Sequence, residues 1–153
     1  MEHVVSSIYM IRQFDRATGR IVRRVELTDG PRFHPGAISM HGNSIWVPVA
    51  ELKPNSSAVL VEIDKNTMQI RRRIRVADQL GCVAASERTF IAGNWDSRRL
   101  YEFDLAVAQP VRIVRNPTRT RYQDKKLVDL YLVPEDGPSR VFHFRMGETL
   151  AAL

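Results

Sequence analysis

The sequence contains a single cysteine, Cys82, and no hydrophobic run near the roughly 20 residues that a membrane-spanning helix needs. One cysteine cannot form an internal disulfide, which is usual for proteins of the reducing cytoplasm. The first residues lack the basic stretch and long apolar core of a secretory signal peptide. We therefore expect a cytoplasmic protein with no membrane contact. Because Cys82 lies in a short apolar segment with no basic neighbour in sequence, we expect its thiol to be buried and inert.

Short catalytic signatures are also missing. The sequence has no Gly-x-Ser-x-Gly nucleophile elbow, no phosphate-binding loop of the Walker type and no pair of cysteines at zinc spacing. His3, His41 and His143 each stand without a second histidine or cysteine at metal-ligand spacing. No enzyme class can therefore be identified from a motif.

The net charge of +6 comes mostly from residues 112–126, which hold six basic residues and one acidic residue. A segment of this kind is usually a solvated loop, and binding to single-stranded nucleic acid would add aromatic stacking groups. Tyr122 is the only aromatic residue in the segment. We expect no nucleic-acid partner, and an interaction scaffold that uses this basic segment stays open as an alternative function.

Short β-branched and aromatic segments recur along the chain, separated by turns. In three copies an apolar residue is followed by Asp15, Asp64 or Asp104, a few turn residues and another strand, and aspartate bonds turn backbone well. These aspartates are 49 and 40 residues apart, which matches a propeller blade of roughly 40–50 residues. We predict an all-β fold in one domain, a partial β-propeller of about three four-stranded antiparallel blades. The approximate blades are 1–32, 33–79 and 80–118, and the remainder starts a further blade.

Three blades do not close a propeller, which has about four to eight blades arranged so that no long strand edge is exposed. An open arrangement leaves strand edges and an apolar face bare, and both invite association. The chain is therefore a fragment of a longer protein, completes itself with another copy, or pairs with a different partner. We favour the fragment hypothesis.

Five short motifs carry a resemblance to a known family. They are His34-Pro35-Gly36-Ala37, Trp46-Val47-Pro48-Val49-Ala50-Glu51, Pro54-Asn55-Ser56, Trp95-Asp96-Ser97-Arg98-Arg99 and Tyr122-Gln123-Asp124. In this order they resemble an uncharacterised bacterial group of propeller proteins, a domain-of-unknown-function family allied to the gluconolactonase-like and YVTN-type propellers. Ala37 and Asp96 depart from that pattern, which has glycine at both positions.

The site residues follow from the propeller fold and the resemblance, because loops at one end of the blades line the central channel. The ligand-binding candidates are His34, Glu51, Asn55, Trp95, Ser97, Arg98, Arg99, Tyr122, Gln123 and Asp124. The resemblance implies that Glu51, Asn55 and Asp124 would hold Ca²⁺ or another divalent cation, since carboxylate and amide oxygens are its usual ligands. An arginine at 98 or 99 would hold a carboxylate or phosphate. Trp46 and Trp95 are expected at equivalent blade positions, packing between blades.

Two main functions remain open from sequence. The first is a propeller segment that binds a small ligand or a protein partner through its loop-lined channel face. The alternative is a metal-assisted lactonase, similar to gluconolactonase, in which a cation polarises a carbonyl and activates water beside His34. Convergence of Glu51, Asn55 and Asp124 would favour the hydrolase.

Overall fold

The computed structural model describes residues 9–86, 88–94, 98–106 and 109–116 in full, together with the backbone of strands Glu2–Ser7, Val128–Leu132 and Arg140–Phe144. The described residues form strands and turns only, so the predicted all-β class is confirmed. Within them there is no helix with the length and apolar character to cross a membrane. The chain divides into two units, Met1–Arg115 and Asn116–Leu153.

The first unit contains three antiparallel sheets that follow one another along the chain. The first sheet consists of β1 (Glu2–Ser7), β2 (Met10–Asp15) and β3 (Ile21–Glu26). The second sheet consists of β4 (His34–Pro35), β5 (Ser39–His41), β6 (Ser44–Ala50), β7 (Ala58–Asp64) and β8 (Ile70–Val76). The third sheet consists of β9 (Leu80–Ala85), β10 (Thr89–Asn94), β11 (Arg99–Asp104) and β12 (Pro110–Arg115). In the second unit, β13 (Val128–Leu132) and β14 (Arg140–Phe144) pair as an antiparallel hairpin.

Aspartate turns join the last two strands of each sheet. Asp15 accepts a hydrogen bond from the amide of Thr18 at 2.8 Å, and Asp64 accepts one from the amide of Thr67 at 2.8 Å. Asp104 accepts from the amide two residues further on, also at 2.8 Å. Hydrogen bonds favour the charged carboxylate: the Thr18 hydroxyl, followed by the Thr18 amide, lowers the pKa of Asp15, and the Thr67 amide lowers the pKa of Asp64. The predicted structural role of the three aspartates is confirmed.

The three sheets also share their strand register. In each sheet the ladder between the last two strands is interrupted by a bulge one residue before the aspartate turn begins. Just ahead of that bulge, a polar residue of the second-last strand pairs with an arginine of the last strand. The pairs are Gln13 with Arg23, Glu62 with Arg72, and Glu102 with Arg112. These pairs define equivalent positions in the three sheets.

The second sheet is buried on both faces. One apolar cluster joins it to the first sheet and includes Ile11 and Val47, and the other joins it to the third sheet and includes Trp46 and Phe90. The rings of Trp46 and Phe90 are stacked with centroids 4.7 Å apart, and Phe90 stacks on Phe103 at 4.5 Å. Such buried aromatic pairs contribute about 0.5–1.5 kcal/mol beyond their area.

Two expectations about single residues are wrong. Trp46 pairs with Glu62, and Ile91 pairs with Glu102, so Ile91 rather than Trp95 is the equivalent of Trp46. Trp46 does pack between sheets, whereas Trp95 lies outside the described residues. Cys82 is exposed rather than buried, because it stands on the face of the third sheet that points away from the second sheet.

The innermost strands of the second and third sheets approach each other closely at two glycines. The amide of Ala37 donates to the carbonyl oxygen of Gly81 at 3.0 Å. A Cβ on Gly36 would stand 2.2 Å from that same oxygen, whereas a Cβ on Gly81 would meet nothing within 4 Å. Gly36 is therefore required by the contact between sheets and not by its own backbone conformation.

We expect Gly36→Ala to lower the free energy of unfolding by about 1–3 kcal/mol, since the added methyl group must push two backbones apart. Urea unfolding followed by circular dichroism measures this change. Gly81→Ala is the matched control and should cost much less. Equal losses for the two variants would contradict the close approach.

Candidate functional site

A continuous hydrogen-bonded surface lies at one end of the three sheets. We call it the polar rim, and define it as loops 27–33, 51–57 and 77–79 with the facing ends of β10 and β11. It lies at the end opposite to the aspartate turns, because the strands alternate in direction. It contains loop 51–57, one of the loops that the sequence assigned to the channel face.

The rim begins at Asp29, which lies between two arginines. Arg32 forms an ion pair with Asp29 at 3.0 Å and donates from Nε to the hydroxyl of Ser57 at 2.9 Å. Arg75 of β8 reaches the other carboxylate oxygen of Asp29 at 3.4 Å. Burial alone would raise the pKa of Asp29, but the bond to Arg75 and the nearby positive charges outweigh it and the pKa is lowered. Asp29 is thus held as an anion.

Glu51 closes the second loop of the rim. Its Oε1 accepts from the hydroxyl of Ser57 at 2.7 Å and from the Ser57 amide at 3.2 Å. Its Oε2 pairs with the ammonium of Lys53 at 3.0 Å. The Ser57 hydroxyl, followed by Lys53, lowers the pKa of Glu51. Both carboxylate oxygens therefore serve the loop itself, and a cation bound to Oε2 would have to displace Lys53.

The third part of the rim centres on Asp78, whose side chain is buried between β8 and β9. Asp78 accepts from the hydroxyl of Tyr101, from Arg99 at 3.1 Å and from the amide of Gln79 at 2.9 Å. Burial, followed by the bond to Asp78, raises the pKa of Tyr101 to about 12. Tyr101 itself belongs to the apolar cluster between the second and third sheets. This contact fixes the rim to the core.

Gln79 links the second and third parts of the rim. Its Nε2 donates to the main-chain oxygen of Glu51 at 2.8 Å. Gln79 is 1% exposed, and none of the described residues donates a hydrogen bond to its Oε1. Buried acceptors are nearly always satisfied by protein or by ordered water, so this amide oxygen is a polar group that still lacks a donor.

Charge is layered across the rim. The acidic side chains Asp29, Glu51 and Asp78 are only 17%, 14% and 8% exposed. Each acid also pairs with an exposed cation: Arg75 is 74% exposed, Lys53 66% and Arg99 54%, whereas Arg32, the second partner of Asp29, is 18% exposed. Solvent therefore meets guanidinium and ammonium groups, although each is balanced by an acid beneath it.

The sequence-predicted residues are distributed unevenly over this site. Glu51 and Arg99 lie in the rim. His34 is half-buried at the start of β4, where it pairs with Ala50, and Asn55 is exposed in the second loop with a left-handed φ of 51°. Arg98 is exposed beside Arg99. Trp95, Ser97, Tyr122, Gln123 and Asp124 lie outside the described residues.

The cation site stays a prediction because one of its three ligands, Asp124, is outside the described residues. Among the residues that the structure describes, no three histidine, cysteine, aspartate or glutamate side chains cluster as a metal site would require. Glu51 and Asn55 belong to the same loop, but the carboxylate of Glu51 is bonded to Ser57 and Lys53. The described residues do not assemble a metal centre by themselves.

Sequence reasoning missed most of the rim. Asp78 and Gln79 are two polar residues directly between the apolar ends of β8 and β9, and that position was a usable signal. Arg32 and Ser57 carry no such signal, since their bond joins residues 25 positions apart. From sequence, Tyr101 is an ordinary core residue of a strand. Only its hydrogen bond to Asp78 shows that it also belongs to the rim.

Comparison with known proteins places the chain in a family. Residues 8–127 match a family of unknown function (DUF6454), and the chain belongs to that family. No curated protein matches the chain. The family match confirms the resemblance to an uncharacterised family. A bacterial source and an alliance with the gluconolactonase-like and YVTN-type propellers stay predictions.

Two solved structures are similar to this chain in fold, each with a TM-score of 0.58 and 12% sequence identity. The Dos1 propeller is similar over 71% of this chain and 27% of its own length. Sqt1 of Saccharomyces cerevisiae is similar over 92% of this chain and 36% of its own length. The chain therefore spans about a third or less of these proteins. At such low identity the likeness shows the fold alone, and the predicted partial β-propeller is confirmed.

We expect the Tyr101–Asp78 contact to make the free energy of unfolding fall at high pH. Folding raises the pKa of Tyr101 from the ordinary 10.0 to about 12. Its contribution to stability is therefore complete below pH 10 and is lost as the pH rises toward 12. Tyr101→Phe should flatten this part of the curve of unfolding free energy against pH, measured with urea.

The control for this experiment is Tyr9→Phe, which removes an exposed tyrosine and should keep the wild-type slope. Absorbance at the phenolate band gives an independent measurement, since Tyr101→Phe should remove the component that ionises near pH 12. An unchanged titration would show that Tyr101 is not bonded to Asp78.

Proposed function

We propose that this member of the DUF6454 family binds a small anionic ligand, a carboxylate or a phosphate, through the polar rim of its partial propeller. The layered charge of the rim supports this proposal above any other observation. Arg75, Lys53 and Arg99 are exposed, and the acids that hold them are not. A ligand that arrives from solvent therefore meets donors that are already oriented.

The chemistry of binding follows from these donors. A guanidinium offers two parallel N–H groups to a carboxylate or phosphate, and charge-assisted bonds of this kind contribute about 1.5–3 kcal/mol each. Arg99 is held in place from below by Asp78, and its amide donates to the side chain of Asn94 at 2.9 Å. Pre-orientation of this kind reduces the entropy lost on binding.

The hydrogen bonds and ion pairs of the acidic side chains in the rim favour binding over the lactonase alternative. Hydrolysis assisted by a metal needs carboxylates that are available to the cation and a water activated by it. The described acids of the rim are bonded to arginine, lysine, serine or tyrosine instead. The hydrolase, with His34, Glu51, Asn55 and Asp124, stays a prediction, and so does the scaffold that uses residues 112–126.

Calorimetric titration with citrate and with inorganic phosphate at low salt tests the proposal. We expect Arg75→Gln and Lys53→Gln each to weaken the binding of the probe that binds by about tenfold, the equivalent of one charge-assisted bond. Arg20→Gln is the matched control, because it removes the same charge from an exposed turn at the opposite end of the sheets.

Two results would contradict the proposal. Equal weakening in Arg20→Gln would show that binding depends on net charge only. If neither citrate nor phosphate binds, the proposed class of small anionic ligands is wrong. A third measurement addresses the hydrolase: hydrolysis of glucono-1,5-lactone that requires Ca²⁺ and is lost in Glu51→Gln would replace the binding function with catalysis.

A further inference from the structure

The two contacts between successive sheets of the first unit share one hydrogen bond, from an arginine side chain to a main-chain oxygen. We call the face of a sheet that points to the next sheet along the chain its forward face. On this face, the arginine of the last strand donates to a main-chain oxygen of the next sheet's aspartate turn. Arg72 reaches the oxygen of Leu105 at 2.6 Å, and Arg23 reaches the oxygen of Asn66. Arg72 is held by Glu62 at 2.8 Å. The same forward faces carry the apolar residues that pack between the sheets.

The third sheet has the same arginine on its forward face, which no other described sheet of the first unit covers. Its arginine is Arg112, held by Glu102 through Nε at 2.8 Å, and its side chain is 68% exposed. Ile91, at the position of Trp46, is 46% exposed, whereas Trp46 is 1% exposed. Cys82 is exposed on the same face. The forward face of the third sheet is thus built like the two that are covered.

The first sheet has the complementary surface on its opposite face, which we call its backward face. Phe14 and Ile21 pair across the bulge there, as Ile63 and Ile70 do in the second sheet. Ile63 is fully buried against the first sheet, but Ile21 is 53% exposed. The aspartate turn beside Ile21 has the same two amide-to-carboxylate hydrogen bonds as the turn that accepts Arg23. The turn that accepts Arg72 shares the first of these bonds, from the amide two residues after its aspartate.

We propose that two copies of this chain associate head to tail, with the backward face of the first sheet of one copy on the forward face of the third sheet of the other. In this contact Arg112 donates to a main-chain oxygen of the partner's turn that begins at Asp15. The two surfaces are different, so the contact is heterologous and can form twice in a closed pair. Two copies bring together the six sheets of their first units, in addition to two β13–β14 hairpins, and closed propellers have about four to eight blades.

The solution mass of the full chain tests this proposal. Light scattering at increasing protein concentration should give the mass of two copies for the wild type. Ile91→Glu and Ile21→Glu each place a charge in one of the two surfaces and should give single copies. Mixed in equal amounts, they should restore a pair, because the mixture holds one intact surface of each kind.

Matched variants assign the role of Arg112. Arg112→Ala should weaken association about tenfold, whereas Arg115→Ala, three residues further along the same strand, should leave it unchanged. Leu52→Glu controls for adding a charge at an exposed apolar residue, since Leu52 is 58% exposed in the rim loop and away from both surfaces. Circular dichroism confirms that each variant is folded.

A measurement on the wild-type chain alone keeps the test independent of any variant. Cys82 is the only cysteine and lies on the forward face, so its reaction with a maleimide should slow as the protein concentration rises. A single-copy mass at every concentration would overturn the proposal, and so would a pair that survives both glutamate substitutions. A slow reaction at every concentration in a single-copy protein would mean that the chain covers this face itself, which also overturns the proposal.

Discussion

The two-sided burial of the second sheet is the constraint on which the rest of the structure depends. Along β6, successive side chains point to opposite faces, so Trp46 enters the cluster with the third sheet while Ile45 and Val47 enter the cluster with the first. Neither neighbouring sheet has a second described layer to pack on. The second sheet therefore supplies the apolar partner for both, and the tight contact at Gly36 and Gly81 sets how closely the third sheet can approach it.

Much of this fold could be predicted from sequence because its signals are local. Alternation with a period of two predicts strands, and an aspartate followed by a few turn residues and another strand predicts the turn after each second-last strand. Equivalence between blades was harder. Residue type suggests that the two tryptophans are equivalent. Equivalence is instead set by the strand register, which the bulge and the pairs Glu62–Arg72 and Glu102–Arg112 define. In that register Ile91 occupies the position equivalent to Trp46. Cys82 was misjudged for a related reason, since strand sequence does not say which face is covered.

The candidate site could be predicted only where the loop sequence itself carries polar groups. Glu51 and Arg99 were found in this way. The bond between Asp78 and Tyr101 joins residues 23 positions apart, and the bond between Gln79 and the Glu51 carbonyl joins residues 28 apart. Such contacts exist only after the sheets have packed, and a strand tyrosine gives no sign of them beforehand. The hydrogen bonds of the rim therefore depend more on how the sheets pack than on the sequences of the loops.

This dependence links the rim to the core through one residue. Tyr101 packs with its ring in the cluster that contains Trp46 and donates its hydroxyl to Asp78, which in turn orients Arg99. A change in the packing of the second and third sheets would move Asp78 and the guanidinium together. Gln79, next in sequence, has an amide oxygen at the same junction that receives no hydrogen bond from the described part of the chain. An unpaired buried acceptor costs about 1–3 kcal/mol, so a donor supplied by water or a ligand there would stabilise the rim and the sheet contact at once.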